Sequence, residues 1–397
     1  MLRINPQPHR TYNGSTSQQL LVLIFSRLHG PPKMALTLST AISWSLHLAL
    51  LFRRRAFPQL GHLTLPPEIV LMIAEHLNKT SLMCLALTCR TFFHLCFPRS
   101  PELTPPEKEE FLLLLEKDAP HLYFCHYCVE LHRWRKRWFR SFNNFPEPDL
   151  HLGTFCKQRQ TPWFRESQYS LPYHLARVVM NRHFYGAAHG VPVRKLEMRT
   201  VDYYSTSEER LQDTWHARII NDRLMLSSVY TILNRQGDAK ALREFIDSSG
   251  PGLCRHLCTK SWAGYDVRRI PELTMGSSPP DYFASCTGSI KSCTVCMTDY
   301  CIDIDWHGRA KGWIIKIVTY RQLGTVRSPF DWNWYVMVEF GPLDVLRSSR
   351  YRPGIVRHIW STADEVVLEP EGEWVGEPQL PPWSVSVRQQ SLHPRYR

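Results

Sequence analysis

Apolar and polar positions recur at helical spacing within residues 65–95. Ile69, Ile73 and Leu77 are four positions apart, and a polar break at 78–80 follows them. Residues three or four positions apart lie on one face of an α-helix. The spacing therefore predicts a short amphipathic helix that ends at the polar break.

A second short helix is predicted after the break. Leu82 and Leu85 supply its apolar face, and Leu95 closes the run. Either Thr80 or Ser81 is expected to cap this helix, because a hydroxyl oxygen can accept a hydrogen bond from a free backbone N–H of the first turn. About thirty residues in two or three short helices bury too little surface for a robust core. We therefore expect a partner to cover the apolar face.

Helices and strands are both predicted downstream of this module. Residues 107–117 are expected to form a helix, because acids occupy its first turn and Pro120 follows it, and residues 171–184 also have a helix-like pattern. Enrichment in aromatic and β-branched residues predicts strands. These strand segments are 215–220, 224–233, 300–306, 313–320 and 334–340.

The expected fold class is α+β. It has a small three-helix module near the N-terminus, a Cys/His-rich middle segment and a mixed C-terminal body with antiparallel strands. The expected segments are a basic leader of low order (1–60), the helical module (61–105), a helix with a Cys/His-rich segment (106–165), a mixed α/β body (166–380) and a disordered tail (381–397). A hydrophobic content of 43% and a charged content of 21% are globular values and exclude a wholly disordered chain.

The net charge of +12 is concentrated at the N-terminus. Residues 1–67 contain seven Lys or Arg and no acid, so the rest of the chain holds 41 basic residues against 36 acidic ones. A nearly balanced body does not require a polyanionic partner, so we do not expect nucleic acid to be the partner.

An uncharged, largely apolar stretch (34–52) precedes Arg53, Arg54 and Arg55 in the leader. Its length is just enough to cross a bilayer, but six Ser, Thr and His residues make it a poor membrane helix. Three interpretations of residues 1–60 stay open: a targeting segment, a membrane anchor, and a start site placed too early. A membrane is not the partner that we favour.

The order of residues across 65–95 resembles an F-box. The matching positions are Leu65, Pro66, Glu68, Ile69, Leu77, Leu82, Leu85, Cys89, Arg90 and Leu95. The resemblance implies a helical module that binds a Skp-type adaptor and through it a cullin–RING ubiquitin ligase. It implies a body (166–380) that binds a protein substrate, in the cytoplasm, the nucleus or both. The adaptor contacts that it implies are Leu65, Pro66, Ile69, Ile73, Leu77, Leu82, Leu85, Cys89, Arg90 and Leu95.

Twelve cysteines without a convincing secretory signal indicate reduced thiols and candidate metal ligands rather than a disulfide framework. Cys125 and Cys128 form a Cys-x-x-Cys pair, a turn that lets two thiolates reach one tetrahedral ion. Cys156 and either His132 or His151 would complete a structural zinc site. The alternative is that the two thiols are packed in the interior and that His132 stacks among aromatic rings.

A second Cys-x-x-Cys pair, Cys293 and Cys296, follows Cys254 and His256. These four side chains are the second candidate zinc site. The choice of ligands stays open, because other cysteines compete for the same ion; these are Cys258, Cys286 and Cys301. Structural zinc is the one cofactor that the sequence suggests.

Three segments extend the resemblance beyond the F-box. They read YFCHYCVELHRW (123–134), SCTVCMTDYCIDI (292–304) and TYRQLGTVRSPFDWNW (319–334). They are similar to a large group of filamentous-fungal F-box proteins, over most of residues 62–340. This similarity implies that the chain has the architecture of those proteins, but it does not identify a particular substrate.

A non-catalytic substrate receptor is the function that these features favour. No Gly-rich phosphate loop, G-x-S-x-G or H-E-x-x-H motif supports an enzyme. Asp299, Asp303 and Asp305 are expected on polar faces of a strand rather than in a cation site. The alternative function is a zinc-stabilised module that binds nucleic acid or protein without a ligase role. Its candidate surface is the basic and aromatic stretch 133–140, although packing of Trp134 explains that stretch better.

Overall fold

The computed structural model describes two compact units, one that ends at Leu115 and one that begins at Glu116. Among the described residues, no helix combines the length and the apolar character needed to span a bilayer. The leader (1–60) and the tail (381–397) lie outside the described residues, so the expectations for them stay predictions. The described residues are 67–88, 92–93, 102–126, 128–136, 163–166, 169–203, 208–261, 267–274, 281–338 and 352–363.

The first unit is helical. It contains α1 (Pro67–His76), α2 (Lys79–Thr88) and the beginning of α3 (Pro105–Asp118). The first two helices confirm the interpretation of the apolar spacing, and α3 confirms the helix predicted at 107–117. A third helix of the module, expected before residue 105, falls largely outside the described residues.

Asn78 caps α2, so the prediction that Thr80 or Ser81 caps it is wrong. The Asn78 Oδ1 accepts a hydrogen bond from the Ser81 N–H at 2.7 Å. Thr80 lies inside the helix, and its buried hydroxyl donates to Glu110 Oε2 of α3 at 3.0 Å. Because α2 begins directly after the polar Asn78, the short Asn side chain reaches the third N–H of the helix.

The Glu107 side chain caps the start of helix α3 by accepting hydrogen bonds from Thr104. The Thr104 N–H and hydroxyl both donate to Glu107 Oε2, at 2.7 and 2.8 Å. Pro105 occupies the first helical position, where its missing N–H removes no hydrogen bond. The bonds from Thr104 also lower the pKa of the Glu107 carboxyl.

The second unit consists mainly of strands. The first strands are β1 (Leu122–Cys125), β2 (Glu130–Arg133), β3 (Trp163–Glu166), β4 (Tyr169–Pro172), β5 (Met198–Tyr203), β6 (Glu209–Ile220) and β7 (Arg223–Asn234). They are followed by β8 (Gly252–Cys254), β9 (Leu257–Cys258), β10 (Arg268–Arg269), β11 (Cys286–Ser292), β12 (Thr298–Trp306) and β13 (Trp313–Gly324). The helices are α4 (Tyr173–Tyr185), α5 (Ala239–Ser249), α6 (Trp332–Val338) and α7 (Ile355–Thr362).

Six of these strands form one antiparallel sheet in the order β11-β12-β13-β7-β6-β5. Strands β6, β7, β12 and β13 contain four of the predicted strand segments, which confirms those predictions. Asn221 and Asp222 join β6 to β7, and both have a positive φ. This two-residue turn matches the right-handed twist of the strands that it connects.

One face of this sheet carries the core of the second unit. Alternate side chains of the central strands are fully buried, among them Trp215, Tyr230 and Ile317, as the two-residue period of a strand requires. Arg321 is buried there too, with its guanidinium 4.8 Å from the Trp215 ring centroid. The Arg321 Nε donates to the Leu253 carbonyl at 2.8 Å, which links β13 to β8.

A helix, α6, replaces the strand predicted at 334–340, so that prediction is wrong over the described residues. Trp334 and Val338 are four positions apart and both are buried. The Trp334 ring packs edge-on against the Tyr173 ring of α4, with 5.3 Å between the centroids. Aromatic and β-branched residues favour a strand only weakly, and this packing overrides that preference.

Glu116 and Arg177 form an ion pair in the interior of the second unit. Arg177 donates from Nε at 2.9 Å and from Nη2 at 2.6 Å to the two Glu116 oxygens, and neither side chain is exposed. The Phe124 N–H and the Asn181 amide also donate to Glu116, each at 2.8 Å. Burial acts to raise the pKa of Glu116, but the Arg177 charge and these hydrogen bonds together lower the pKa below its usual value.

Candidate functional site

Helix α1 presents apolar side chains to solvent. Val70 is buried, whereas Ile69, Leu71, Met72 and Ile73 are 41%, 42%, 58% and 44% exposed. An amphipathic helix normally turns its apolar stripe toward a core. Four large apolar side chains exposed together therefore indicate a surface that binds another molecule.

Leu71 and Met72 are part of this surface, although the sequence analysis did not select them. Ile69 and Ile73 were selected because they are four positions apart. A signal for the other two was present, since residues 69–73 are an uninterrupted apolar run that no single helix face can bury. We call Ile69, Leu71, Met72 and Ile73 the exposed face of α1.

The other predicted adaptor contacts fall into two groups. Leu77, Leu82 and Leu85 are partly buried, so each retains some accessible surface. The rest lie outside the described residues, and their roles stay predictions; they are Leu65, Pro66, Cys89, Arg90 and Leu95.

The hairpin of β1 and β2 brings together three of the ligands predicted for the first zinc site. The Sγ atoms of Cys125 and Cys128 and a ring nitrogen of His132 all lie within 4.8 Å of one another. Cys125 ends β1, and Cys128 lies in the turn before β2. Cys156 and His151 lie outside the described residues, so the fourth ligand stays a prediction.

Two other hairpins bring together the second predicted set of ligands. Cys254 and His256 lie where β8 turns into β9, and Cys293 and Cys296 lie between β11 and β12. The four ligand atoms all lie within 4.8 Å of one another, and every one of the side chains is buried. The Cys254 Sγ is 3.9 Å from His256 Nδ1. We call this group the Cys₃His cluster.

Hydrogen bonds shape the β11–β12 turn around the two sulfurs of the Cys₃His cluster. The Val295 N–H donates to Cys293 Sγ at 3.3 Å, and the Thr298 hydroxyl lies 3.2 Å from Cys296 Sγ. Hydrogen bonds from Cys254 and Cys296 lower the pKa of the Cys293 thiol, while burial raises the pKa of Cys296. These buried thiols and the imidazole could hold a metal ion.

The neighbouring cysteines make other contacts. The Cys258 thiol donates to the Lys260 carbonyl at 3.7 Å, and the Cys286 thiol donates to the Ile302 carbonyl at 3.9 Å. Within the described part of the chain, neither these two nor Cys301 joins a group of converging ligand atoms. The geometry therefore favours Cys254 and His256 over the competing cysteines as partners of the second Cys-x-x-Cys pair.

The acids of β12 have structural partners. The buried Asp299 accepts hydrogen bonds from the N–H groups of Gly354 at 3.2 Å and Arg357 at 3.0 Å, at the start of α7. Asp303 accepts one from the Gly288 N–H at 2.6 Å. These hydrogen bonds account for the positions of the Asp299 and Asp303 carboxylates without a bound cation.

Trp134 is packed in the interior, as expected for the basic and aromatic stretch 133–140. It is only 4% exposed, and its backbone N–H donates to the His121 carbonyl at 2.9 Å. Arg133 and Lys136 are exposed beside it. A ring that is covered in this way offers no surface on which a base could stack. Residues 137–140 lie outside the described residues.

The comparisons with known proteins bear on the helical unit. Residues 62–100 match the family model described as F-box-like. No curated protein and no solved structure matches the chain. The match contains α1 and α2, and therefore the whole exposed face of α1. F-box domains bind Skp-type adaptors in cullin–RING ligases. The chain therefore carries an F-box-like domain at residues 62–100.

Proposed function

We propose that this protein is the substrate receptor of a cullin–RING ubiquitin ligase. The F-box-like domain binds a Skp-type adaptor, and the second unit, which begins at Glu116, binds a target protein in the cytoplasm, the nucleus or both. Ubiquitin transfer is aided by proximity, because the complex holds the target near the transferring enzyme. The receptor itself supplies no catalytic group.

The exposed face of α1 is the observation that supports this proposal most directly. Full burial of a large apolar side chain contributes about 1.5–3 kcal/mol relative to full exposure. Its four side chains are roughly half exposed, so covering them would contribute on the order of 4 kcal/mol. An adaptor with a complementary apolar groove can gain this free energy on binding.

Ile69 and Ile73 are the expected anchors of the interface. They lie one turn apart on α1 and are exposed to nearly the same extent. Binding energy in protein interfaces is concentrated in a few such side chains, each contributing on the order of 2 kcal/mol or more. Leu82 and Leu85 are partly buried, which suits side chains shared between the domain's own interior and the interface.

The test is the affinity of the full chain for a purified Skp-type adaptor, measured by isothermal titration calorimetry. An Ile69→Asp, Ile73→Asp double variant is expected to bind at least about 100-fold more weakly, because two anchors are lost and two charges enter the interface. Ile290→Asp is the matched control, because Ile290 is a 43% exposed isoleucine of β11. The control is expected to bind like the wild type.

Affinity purification with mass spectrometry extends this test to the ligase. The wild-type chain is expected to recover the adaptor, a cullin and the target, whereas the double variant keeps the target and loses the other two. Equal adaptor affinity of the wild type and the folded double variant would contradict the proposal. Recovery of the adaptor without any cullin would instead support an interaction module without a ligase role.

A further inference from the structure

We propose that the Cys₃His cluster (Cys254, His256, Cys293 and Cys296) binds one structural zinc ion. Zinc in structural sites is held by four Cys or His ligands in a tetrahedron. The Cys₃His cluster supplies three thiols and one imidazole from two separate hairpins, and each of the four is buried.

The distances match a tetrahedral site. With Zn–S bonds of about 2.3 Å and a Zn–N bond of about 2.0 Å, neighbouring ligand atoms lie roughly 3.5–3.8 Å apart. The Cys254 Sγ and His256 Nδ1 are 3.9 Å apart, and no pair in the cluster exceeds 4.8 Å. Small side-chain rotations bring these atoms onto an ion at their centre.

The chemistry of the cluster also calls for a cation. None of the three cysteines forms a disulfide bond. A divalent ion can displace the thiol protons and coordinate the three sulfurs as thiolates, which compensates their charge inside the buried site. Soft sulfur ligands in a tetrahedral set with imidazole favour zinc over magnesium or calcium. The Val295 N–H, which donates to Cys293 Sγ at 3.3 Å, supports a ligating sulfur from outside the metal shell.

The ion would join the short β8–β9 hairpin to the longer β11–β12 hairpin of the six-stranded sheet. Strands β8 and β9 have only three and two residues, and their pairing is irregular. Strands this short are not stable by themselves. The ion would link the β8–β9 turn to the β11–β12 turn at the edge of the six-stranded sheet. Four protein ligands leave no open position for a substrate, so the role is structural.

The experiment compares zinc content per chain, by inductively coupled plasma mass spectrometry, among full-length variants whose folding is checked by circular dichroism. Cys254→Ser, Cys293→Ser is expected to lose one zinc per chain relative to the wild type. Cys286→Ser, Cys301→Ser is the matched control, because it removes two nearby cysteines outside the cluster, and it is expected to lose none. The difference is specific to this site, whatever Cys125 and Cys128 bind.

A conservative variant keeps the proposal testable if the serine variant fails to fold. His256→Cys is expected to retain the ion with four thiolates. After exchange of zinc for Co²⁺, the sulfur-to-cobalt charge-transfer absorption should therefore be stronger in His256→Cys than in the wild type. Equal zinc content in the wild type and the folded serine variant would overturn the proposal. So would a cobalt spectrum that His256→Cys leaves unchanged, or a wild-type chain that takes up neither metal.

Discussion

Helix α1 and strand β13 use similar side chains in opposite ways. In β13, Ile315 and Ile317 are fully buried in the core of the second unit. In α1, Ile69 and Ile73 are 41% and 44% exposed, although their neighbour Val70 is buried. The isoleucines of β13 are explained by the stability of the sheet itself. Those of α1 are not, and a binding partner is the simplest physical reason for keeping them on the surface.

Two ion pairs, one from each unit, show how burial changes the contribution of charge to stability. In the first unit, Lys79 and Glu107 lie 3.8 Å apart at the surface, with 53% and 30% of their side chains exposed. In the second unit, Glu116 and Arg177 pair at 2.6 Å with no exposure. An exposed pair contributes little to stability, whereas removing one partner of a buried pair leaves an uncompensated charge. Predictions about stability therefore concern mainly the second unit.

The largest stability effect is expected from Glu116→Gln. The variant leaves the buried Arg177 without its carboxylate, and such a loss typically lowers the free energy of unfolding by about 3–5 kcal/mol. Chemical denaturation of the second unit measures this effect. Glu244→Gln is the control, because it breaks the exposed Lys240–Glu244 pair of α5, where both side chains are at least 67% exposed. The control is expected to change stability by less than about 0.5 kcal/mol.

The same pair gives a pH dependence with a definite sign. The folded protein lowers the pKa of Glu116 below its ordinary value of 4.5. The carboxylate therefore stabilises the fold above that ordinary value, and this contribution is lost as the pH falls through the lower pKa of the folded state. The stability gap between the wild type and Glu116→Gln should thus narrow in acid. A gap that is constant from pH 7 down to about pH 3 would show that Glu116 is not the ionised partner of Arg177.

A smaller effect on the free energy of unfolding distinguishes the buried isoleucines of β13 from the exposed isoleucines of α1. Ile317→Val removes one methylene from the core and is expected to lower the free energy of unfolding by about 0.5–1.5 kcal/mol. Ile73→Val removes the same group from an exposed position and should change stability by less than about 0.5 kcal/mol. Comparable losses in the two variants would mean that the apolar side chains of α1 are part of a core.

Local sequence patterns were enough to predict helix α1 and the four long strands β6, β7, β12 and β13. The four-residue spacing of Ile69 and Ile73 identified α1, and aromatic and β-branched runs identified the four long strands of the sheet. The pairing of Cys254 and His256 with the second Cys-x-x-Cys motif was also proposed from the sequence, although three other cysteines competed. Only the fold could show which thiols converge, because the two hairpins meet through strand pairing that spacing does not encode.

The features that sequence reasoning missed depend on distant contacts. Trp334 lies in a helix because it packs against Tyr173 of α4, a contact that a local preference for strand does not reveal. The Glu116–Arg177 pair joins residues 61 positions apart. The cap at Asn78 was missed for a different reason. Asn and Ser cap helices about equally well and Thr is also a common cap, so the sequence alone could not locate the first residue of α2.

Hydrogen–deuterium exchange of the full chain, with and without saturating Skp-type adaptor, tests the central claim most directly. The claim is that the exposed face of α1 is the adaptor-binding surface. The account predicts slower exchange in residues 67–88 when the adaptor is bound, and unchanged exchange in β12 and β13. Unchanged exchange across 67–88, or protection confined to the second unit, would contradict it.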